Sequence, residues 1–303
     1  MGTDRKNIVL TSNTGWYLFN FRSNLIKHLE EQGYVIHLIA PQDQYLIKLG
    51  NQGYSIHTVN IDNKGQNVAK DIVTCIKYAQ LFRQIRPIAI LSFTIKPIIY
   101  AGFVASLLKI PAINTVTGLG TAFIAGGVLQ KWVIFLYRLS QKNASAVVFQ
   151  NNEDYKVFVE NKICDSARRL IIPGSGINLS VFGCSPPNLD KVKVILFIGR
   201  FLSDKGVREF VEAAKILNSR ANEKVLFQML GSSVANNRTS ISNAELAKWD
   251  RLEFLEILGW IEDVRPVIVR AHCVVLPSYR EGLPRALIEA GALGRPVVAS
   301  AVP

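Results

Sequence analysis

The chain has 303 residues, enough for about two domains of ordinary size. Hydrophobic residues make up 49% and charged residues 19%, which supplies a sizeable core and excludes wholesale disorder. The net charge of +12 leaves three partner classes to consider: nucleic acid, an anionic membrane surface, or a polyanionic small molecule.

Met1 to Asn7 leads into Ile8-Val9-Leu10, a strand start rather than a secretory signal. Phe19 to Glu31 reads as a helix that ends before Gly33. Val35–Ala40, Ser55–Val59, Ile88–Ser92 and Ala112–Asn114 read as further strands. The longest apolar stretch, Ile98 to Leu108, is shorter than the ~20 residues a bilayer requires. Residues 128–142 form a helix-length apolar segment with Lys131, Arg138 and Lys142 beside Trp132 and Tyr137. Such a helix fits an anionic lipid surface, or a core helix with a basic solvent face. Ala146–Gln150 and Leu170–Ile172 close the first half.

A turn-rich break at 173–178 and a linker at 185–190 place the domain boundary near residue 188. The pattern restarts with strands at Val192–Ile198, Val225–Leu230, Leu255–Leu258 and Val274–Leu276, and ends on Pro296–Ser300. Short apolar runs alternating with amphipathic stretches predict α/β architecture with doubly wound sheets. The domains are 1–188 and 189–303, the second incomplete because no helix follows its last strand. The first carries 19 Lys/Arg against 10 Asp/Glu, the second 16 against 13. No nucleic-acid module is present, and aromatics are not interleaved with the basic residues as a stacking platform requires. Cys75, Cys164, Cys184 and Cys273 are scattered, without a Cys-x-x-Cys pair, and read as reduced, largely buried thiols of a cytosolic protein.

Two segments of the second domain carry chemistry. Gly199 to Gly206 follows the first strand and offers two cations, Arg200 and Lys205, which suit a diphosphate. Further on, Glu281 sits in a loop after a strand. Pro284 suits the first turn of a helix, and Glu289 lies just over a turn into it. Open parallel sheets bind ligands at that edge. In the first domain, Thr11 to Arg22 offers Gly15 for close backbone approach and a helix N-terminus suited to an anion. Thr117-Gly118-Leu119-Gly120 lacks the third glycine of a dinucleotide loop, since position 123 is Phe. His28, His37, His57 and His272 form no metal-ligand spacing and receive no catalytic assignment. No Asp-x-Asp occurs, so no metal is expected.

Ser278-Tyr279-Arg280-Glu281-Gly282-Leu283-Pro284, closed by Glu289 and followed by Gly294 to Ser300, resembles the Glu-x7-Glu motif of retaining glycosyltransferases of family 4. Gly199-Arg200-Phe201-Leu202-Ser203-Asp204-Lys205-Gly206 is similar to that family's Gly-Arg-x-x-x-x-Lys-Gly motif. The resemblance implies a GT-B fold, two Rossmann-like domains facing a cleft, with family members continuing past the last strand seen here. It implies that Arg200 and Lys205 bind the donor's diphosphate, Glu281 the sugar hydroxyls and Glu289 the ribose. Backbone at Gly282 and Leu283 would contact sugar or phosphate, and Gly231 and Ile261 lie where the family holds phosphate and base. The family often has Gly-x-Gly at the first of these, where this chain has Gly231-Ser232-Ser233.

The loops at 11–22, 92–97 and 114–120 resemble a narrower group, which transfers N-acetylhexosamines onto polyprenyl-diphosphate-linked acceptors in bacterial glycan assembly. Gly15, Thr117 and Gly118 are then acceptor-side residues. The implied enzyme takes a hexosamine or hexose from a UDP-sugar without a metal cofactor. It acts in the cytoplasm, peripherally on the inner face of the membrane, for capsule or lipopolysaccharide. Two rival readings are a GT-B-fold nucleotide-sugar epimerase and a non-catalytic fragment.

Overall fold

The strands are Val/Ile/Leu-rich, and those at the sheet centres are buried on both faces, as parallel strands between helix layers must be. The computed structural model describes residues 6–62, 68–119, 127–220, 225–234, 237, 239–279, 281 and 283–302. They fall into two units, Met1–Ser175 and Gly176–Pro303.

The first unit contains β1 (Asn7–Thr11), α1 (Gly15–Glu31), β2 (Val35–Ala40), α2 (Gln44–Asn51), β3 (Ser55–Thr58), α3 (Val68–Ile85) and β4 (Ala89–Phe93). It continues with α4 (Ile95–Leu108), β5 (Ala112–Val116), α5 (Gly127–Gln141), β6 (Ala146–Phe149), α6 (Asn152–Glu160) and β7 (Arg169–Ile171). Its seven strands are all parallel, in the order β3-β2-β1-β4-β5-β6-β7. Alternate residues of the strands feed two cores. Leu10, Leu38 and Phe93 pack with Leu18, Ile26 and Leu46 of α1 and α2. Val9, Ile39 and Ile90 pack with Tyr78, Ile98 and Tyr137 of α3, α4 and α5. The apolar run at 98–108 belongs to α4, which packs against both α3 and α5 and so needs no polar face on either flank. Among the described residues no helix is long and apolar enough to cross a membrane.

The second unit contains β8 (Lys193–Ile198), a 3-10 turn at Ser203–Lys205, α7 (Val207–Arg220), β9 (Val225–Leu230), α8 (Asn243–Trp249) and β10 (Leu255–Gly259). α9 (Arg265–Arg270), β11 (Cys273–Leu276), α10 (Arg285–Ala292) and β12 (Val297–Ala299) complete it. The order is β10-β9-β8-β11-β12, again all parallel.

Three expectations need adjustment. The break between units falls after Ser175 rather than at 188, because residues 176–188 are tied to the second unit. Phe182 enters its core, and buried Arg295 donates from Nη2 to Ser185 O at 2.9 Å and to Pro186 O. Asn188 Nδ2 donates to Arg270 O at 2.6 Å. Residues 176–188 contain no charged side chain, so the first unit keeps its 19 basic and 10 acidic residues. α1 begins at Gly15 rather than Phe19, because the Thr14 side chain accepts from Tyr17 N and caps the helix there. The four cysteines are free, but Cys184 is exposed and the others are half-buried.

Candidate functional site

In each sheet the strand order reverses beside its first strand, between β1 and β4 and between β8 and β11. Ligands of doubly wound sheets bind at the carboxyl ends of the strands flanking that point.

In the second unit the loop leaving β8 is held by its neighbours. Gly199 N donates to Leu230 O at 3.0 Å, Phe201 N to Ser232 O at 2.9 Å and Ser203 N to Thr239 O at 2.7 Å. The Phe201 ring is buried against Phe197. Arg200, one residue earlier, is exposed and has no side-chain partner among the described residues. The 3-10 turn then ends on Gly206 at φ +69°, where a Cβ would collide with the Pro277 carbonyl. Only glycine fits both the left-handed backbone and that approach. Tyr279 N donates to Asp204 O at 2.9 Å, joining the loop after β11 to the loop after β8.

This junction places Lys205 Nζ 2.6 Å from Glu281 Oε1, with the two side chains 16% and 18% exposed. The Ser278 hydroxyl donates to the same oxygen at 2.7 Å. Glu281 Oε2 has no partner among the described residues. One carboxylate oxygen is therefore fixed by protein donors, and the other is left without one among the described residues.

Glu289 lies on the second turn of α10, 9% exposed, with Arg285 Nε 2.6 Å from its Oε1. Burial raises its carboxyl pKa, and the Arg285 charge and hydrogen bond oppose that rise. Gly231 follows β9 at φ +147°, where a Cβ would strike the Gly199 carbonyl, so it too is required for close packing of adjacent loops. Ile261 packs against the core formed by Ile268 and Ala290, beside an exposed Trp260. Leu283 is exposed. Gly282 lies outside the described residues.

The structure thus joins Lys205 and Glu281 directly. Arg200, Gly231, Ile261 and Leu283 lie in loops that follow strands of the same sheet and Glu289 on the helix after β11, and among the described residues none of them has a hydrogen bond or ion pair to that pair. Arg285 and Ser278 were missed as partners, although the four-residue spacing from Arg285 to Glu289 marks one helix face. Among the described residues no group of three or more His, Cys, Asp and Glu side chains is placed to hold a metal ion.

In the first unit Gly15 is buried, and a Cβ would collide with Asp43 and Leu46. Its smallness therefore serves the packing of α1 on α2. The expectation of an open anion site at the α1 N-terminus is corrected as well. Asp43 Oδ2 accepts from Trp16 N at 3.0 Å, and its Oδ1 accepts from Tyr45 N and Leu46 N. A carboxylate already occupies the favourable end of the helix dipole. Thr117 and Gly118 follow β5, and the Thr117 side chain lies near enough to Tyr17 to oppose the rise of its pKa.

Two family models match this chain. Residues 7–151 match a glycosyl transferase 4-like domain, and residues 192–303 match the glycosyl transferases group 1 domain. The chain is similar to the N,N'-diacetylbacillosaminyl-diphospho-undecaprenol alpha-1,3-N-acetylgalactosaminyltransferase of Campylobacter jejuni. The two are 29% identical over 311 residues, 95% of this chain and 79% of the relative. It is also similar to the UDP-Gal:alpha-D-GlcNAc-diphosphoundecaprenol alpha-1,3-galactosyltransferase of Escherichia coli. That identity is 24%, over 77% of this chain and 63% of the relative. Among solved structures, Anabaena HepE in complex with UDP and glucose superimposes with a TM-score of 0.76. It is 14% identical, covering 98% of this chain and 81% of that one. The architecture is the GT-B fold. With its two matched domains, the chain belongs to the group 1 and family 4-like glycosyltransferases.

Proposed function

We propose that this enzyme takes a hexosamine or hexose from a UDP-sugar and transfers it, with retention, to a polyprenyl-diphosphate-linked acceptor in bacterial surface glycan synthesis. The observation that carries the reading is the 2.6 Å Lys205–Glu281 pair at the β8/β11 switch point, with exposed Arg200 on the same loop. That grouping sets cations for a diphosphate beside a carboxylate for sugar hydroxyls. The C. jejuni and E. coli relatives support the acceptor class, since both are named for diphosphate-linked undecaprenol substrates.

In the reaction, an acceptor hydroxyl oxygen bonds to the anomeric carbon on the face from which UDP departs. The carbon–oxygen bond to the diphosphate breaks, and the acceptor's proton passes to a diphosphate oxygen. Arg200 and Lys205 stabilise the charge that grows on the leaving group, in place of a metal, and Glu281 orients the sugar. Nucleotide sugars screened by mass spectrometry against lipid-linked acceptors should give one elongated product. Consumption of a UDP-sugar to an isomer without acceptor would favour the epimerase reading instead.

Peripheral membrane association belongs to the same proposal. Trp132, Phe135 and Leu139 of α5 are exposed at 60%, 48% and 37%. Their spacing of three and four residues puts them on one helix face, with exposed Lys131 and Lys142 at its ends. α3, in the same layer, exposes Val68, Ile72, Val73 and Ile76. In sedimentation with anionic liposomes the protein is expected to bind at low salt and release as salt rises. Binding that ignores both lipid charge and salt would remove this part of the reading.

A further inference from the structure

Arg22, in the N-terminal half of α1, is 6% exposed. Its Nη2 donates to the Tyr17 hydroxyl at 2.6 Å, and its Cζ lies 4.2 Å from the centre of the Phe93 ring. Nε is buried without a hydrogen-bond partner among the described residues. No carboxylate there lies within ion-pair distance of Arg22. Asp43, at the head of the same helix, is engaged by three backbone N–H groups. A buried cation facing only aromatic rings and one hydroxyl is costly, because cation–π attraction returns part of the lost hydration and no more.

The position of this charge gives it a use. Tyr17 is in the first turn of α1, Phe93 ends β4 and Thr117 follows β5, so the cluster lies at the β1/β4 switch point of the first sheet. Thr117 lies beside Tyr17, and it and the Arg22 charge oppose the burial that raises the Tyr17 pKa. Thr94, next to Phe93, is held at φ 67° and ψ 158°. That backbone region is nearly restricted to glycine, and its strain is most often stored at functional sites.

We propose that the Tyr17 hydroxyl, with Thr117 beside it, forms a subsite for the phosphate oxygens of the acceptor, with Arg22 as the positioning residue that supplies the unpaired positive charge behind it. The assignment rests on the proposed reading of a diphosphate-linked acceptor. Because the Tyr17 hydroxyl accepts from Arg22, its own proton is available to an anion, and in a low-dielectric setting the guanidinium field reaches that anion.

The test uses the full chain saturated with UDP, so that the donor's own diphosphate site is filled. Isothermal titration compares a short-chain prenyl diphosphate sugar, the same prenyl-linked sugar without phosphates, and inorganic diphosphate. In Arg22→Met, affinity for the diphosphate sugar should fall roughly 10- to 100-fold, with the uncharged analogue unchanged and Arg22→Lys restoring part of the loss. The Met variant should unfold at the same or a higher temperature, because an uncompensated buried charge has been removed. Unchanged diphosphate affinity in both variants overturns the inference. So does a lowered unfolding temperature with equal losses for charged and uncharged ligands, since that marks Arg22 as structural. If inorganic diphosphate binds in an Arg22-dependent way while no prenyl diphosphate sugar is elongated, the anion subsite stands and the acceptor assignment fails.

Discussion

Replacing Lys205 with Met should lower kcat/KM for sugar transfer by about 10²- to 10³-fold, the usual cost of removing one preorganised group that meets charge developing in the transition state. The unfolding temperature should move by no more than about 2–4 °C, the equivalent of roughly 1 kcal/mol in a unit of this size. Lys205 and Glu281 are only 16% and 18% exposed, but Ser278 still donates to Glu281 once the ammonium is removed, which keeps the loss moderate. The junction itself is held by backbone, through Tyr279 N to Asp204 O and the Gly206–Pro277 approach. Glu281→Gln should cost a similar factor. The double variant should be far less impaired than the product of the two, because the pair acts as a unit. Single-turnover kinetics beside thermal unfolding checks all three variants. Near-normal transfer in Lys205→Met, with the fold intact, would sink the donor-site assignment.

The second large effect concerns Glu289 and pH. Burial raises its pKa above the usual 4.5, against the Arg285 charge. In the window from 4.5 upward to the raised value, the folded protein holds a proton that the unfolded chain has lost. Stability from this group is therefore present at low pH and declines as pH rises through the window. Donor binding should run the other way. A carboxylate is the stronger acceptor for ribose hydroxyls, so UDP affinity should improve as Glu289 ionises. Glu289→Gln should weaken UDP binding by roughly 10- to 100-fold at neutral pH and abolish both trends. Calorimetric titration with UDP and thermal unfolding across that range would read them together. A variant with unaltered UDP affinity would remove Glu289 from the donor site.

The parts legible in the sequence share one property: local pattern decides them. β2 spans Val35–Ala40 as its hydrophobic run indicates, and most other predicted strands fall within a residue or two of place. Strand-to-loop transitions put Arg200, Lys205 and Glu281 in loops at strand ends, and Glu289 on the helix that follows. The linker at 185–190 was legible only as composition. Whether such a segment joins one unit or the other depends on Arg295 and Leu293 reaching Ser185, over a hundred residues away.

Two doubly wound α/β domains, their strand-end loops and the residue types that those loops present follow from local pattern, because hydrophobic period and turn chemistry act over a few residues. Which of those residues meet depends on strand order and helix packing. The parallel β8/β11 pairing brings Lys205 onto Glu281 across 76 residues. The β2/β3 pairing brings His37 Nδ1 to 3.1 Å from His57 Nε2, a contact that no ligand spacing announced. The packing of α2 under α1 gives Asp43 the helix end that an anion was expected to fill. The same fold leaves Arg22 buried without an acid among the described residues. The reason is common to all four: strand order and register set distances between segments far apart in the chain, and those distances decide whether a charge is paired, buried alone or left for a ligand.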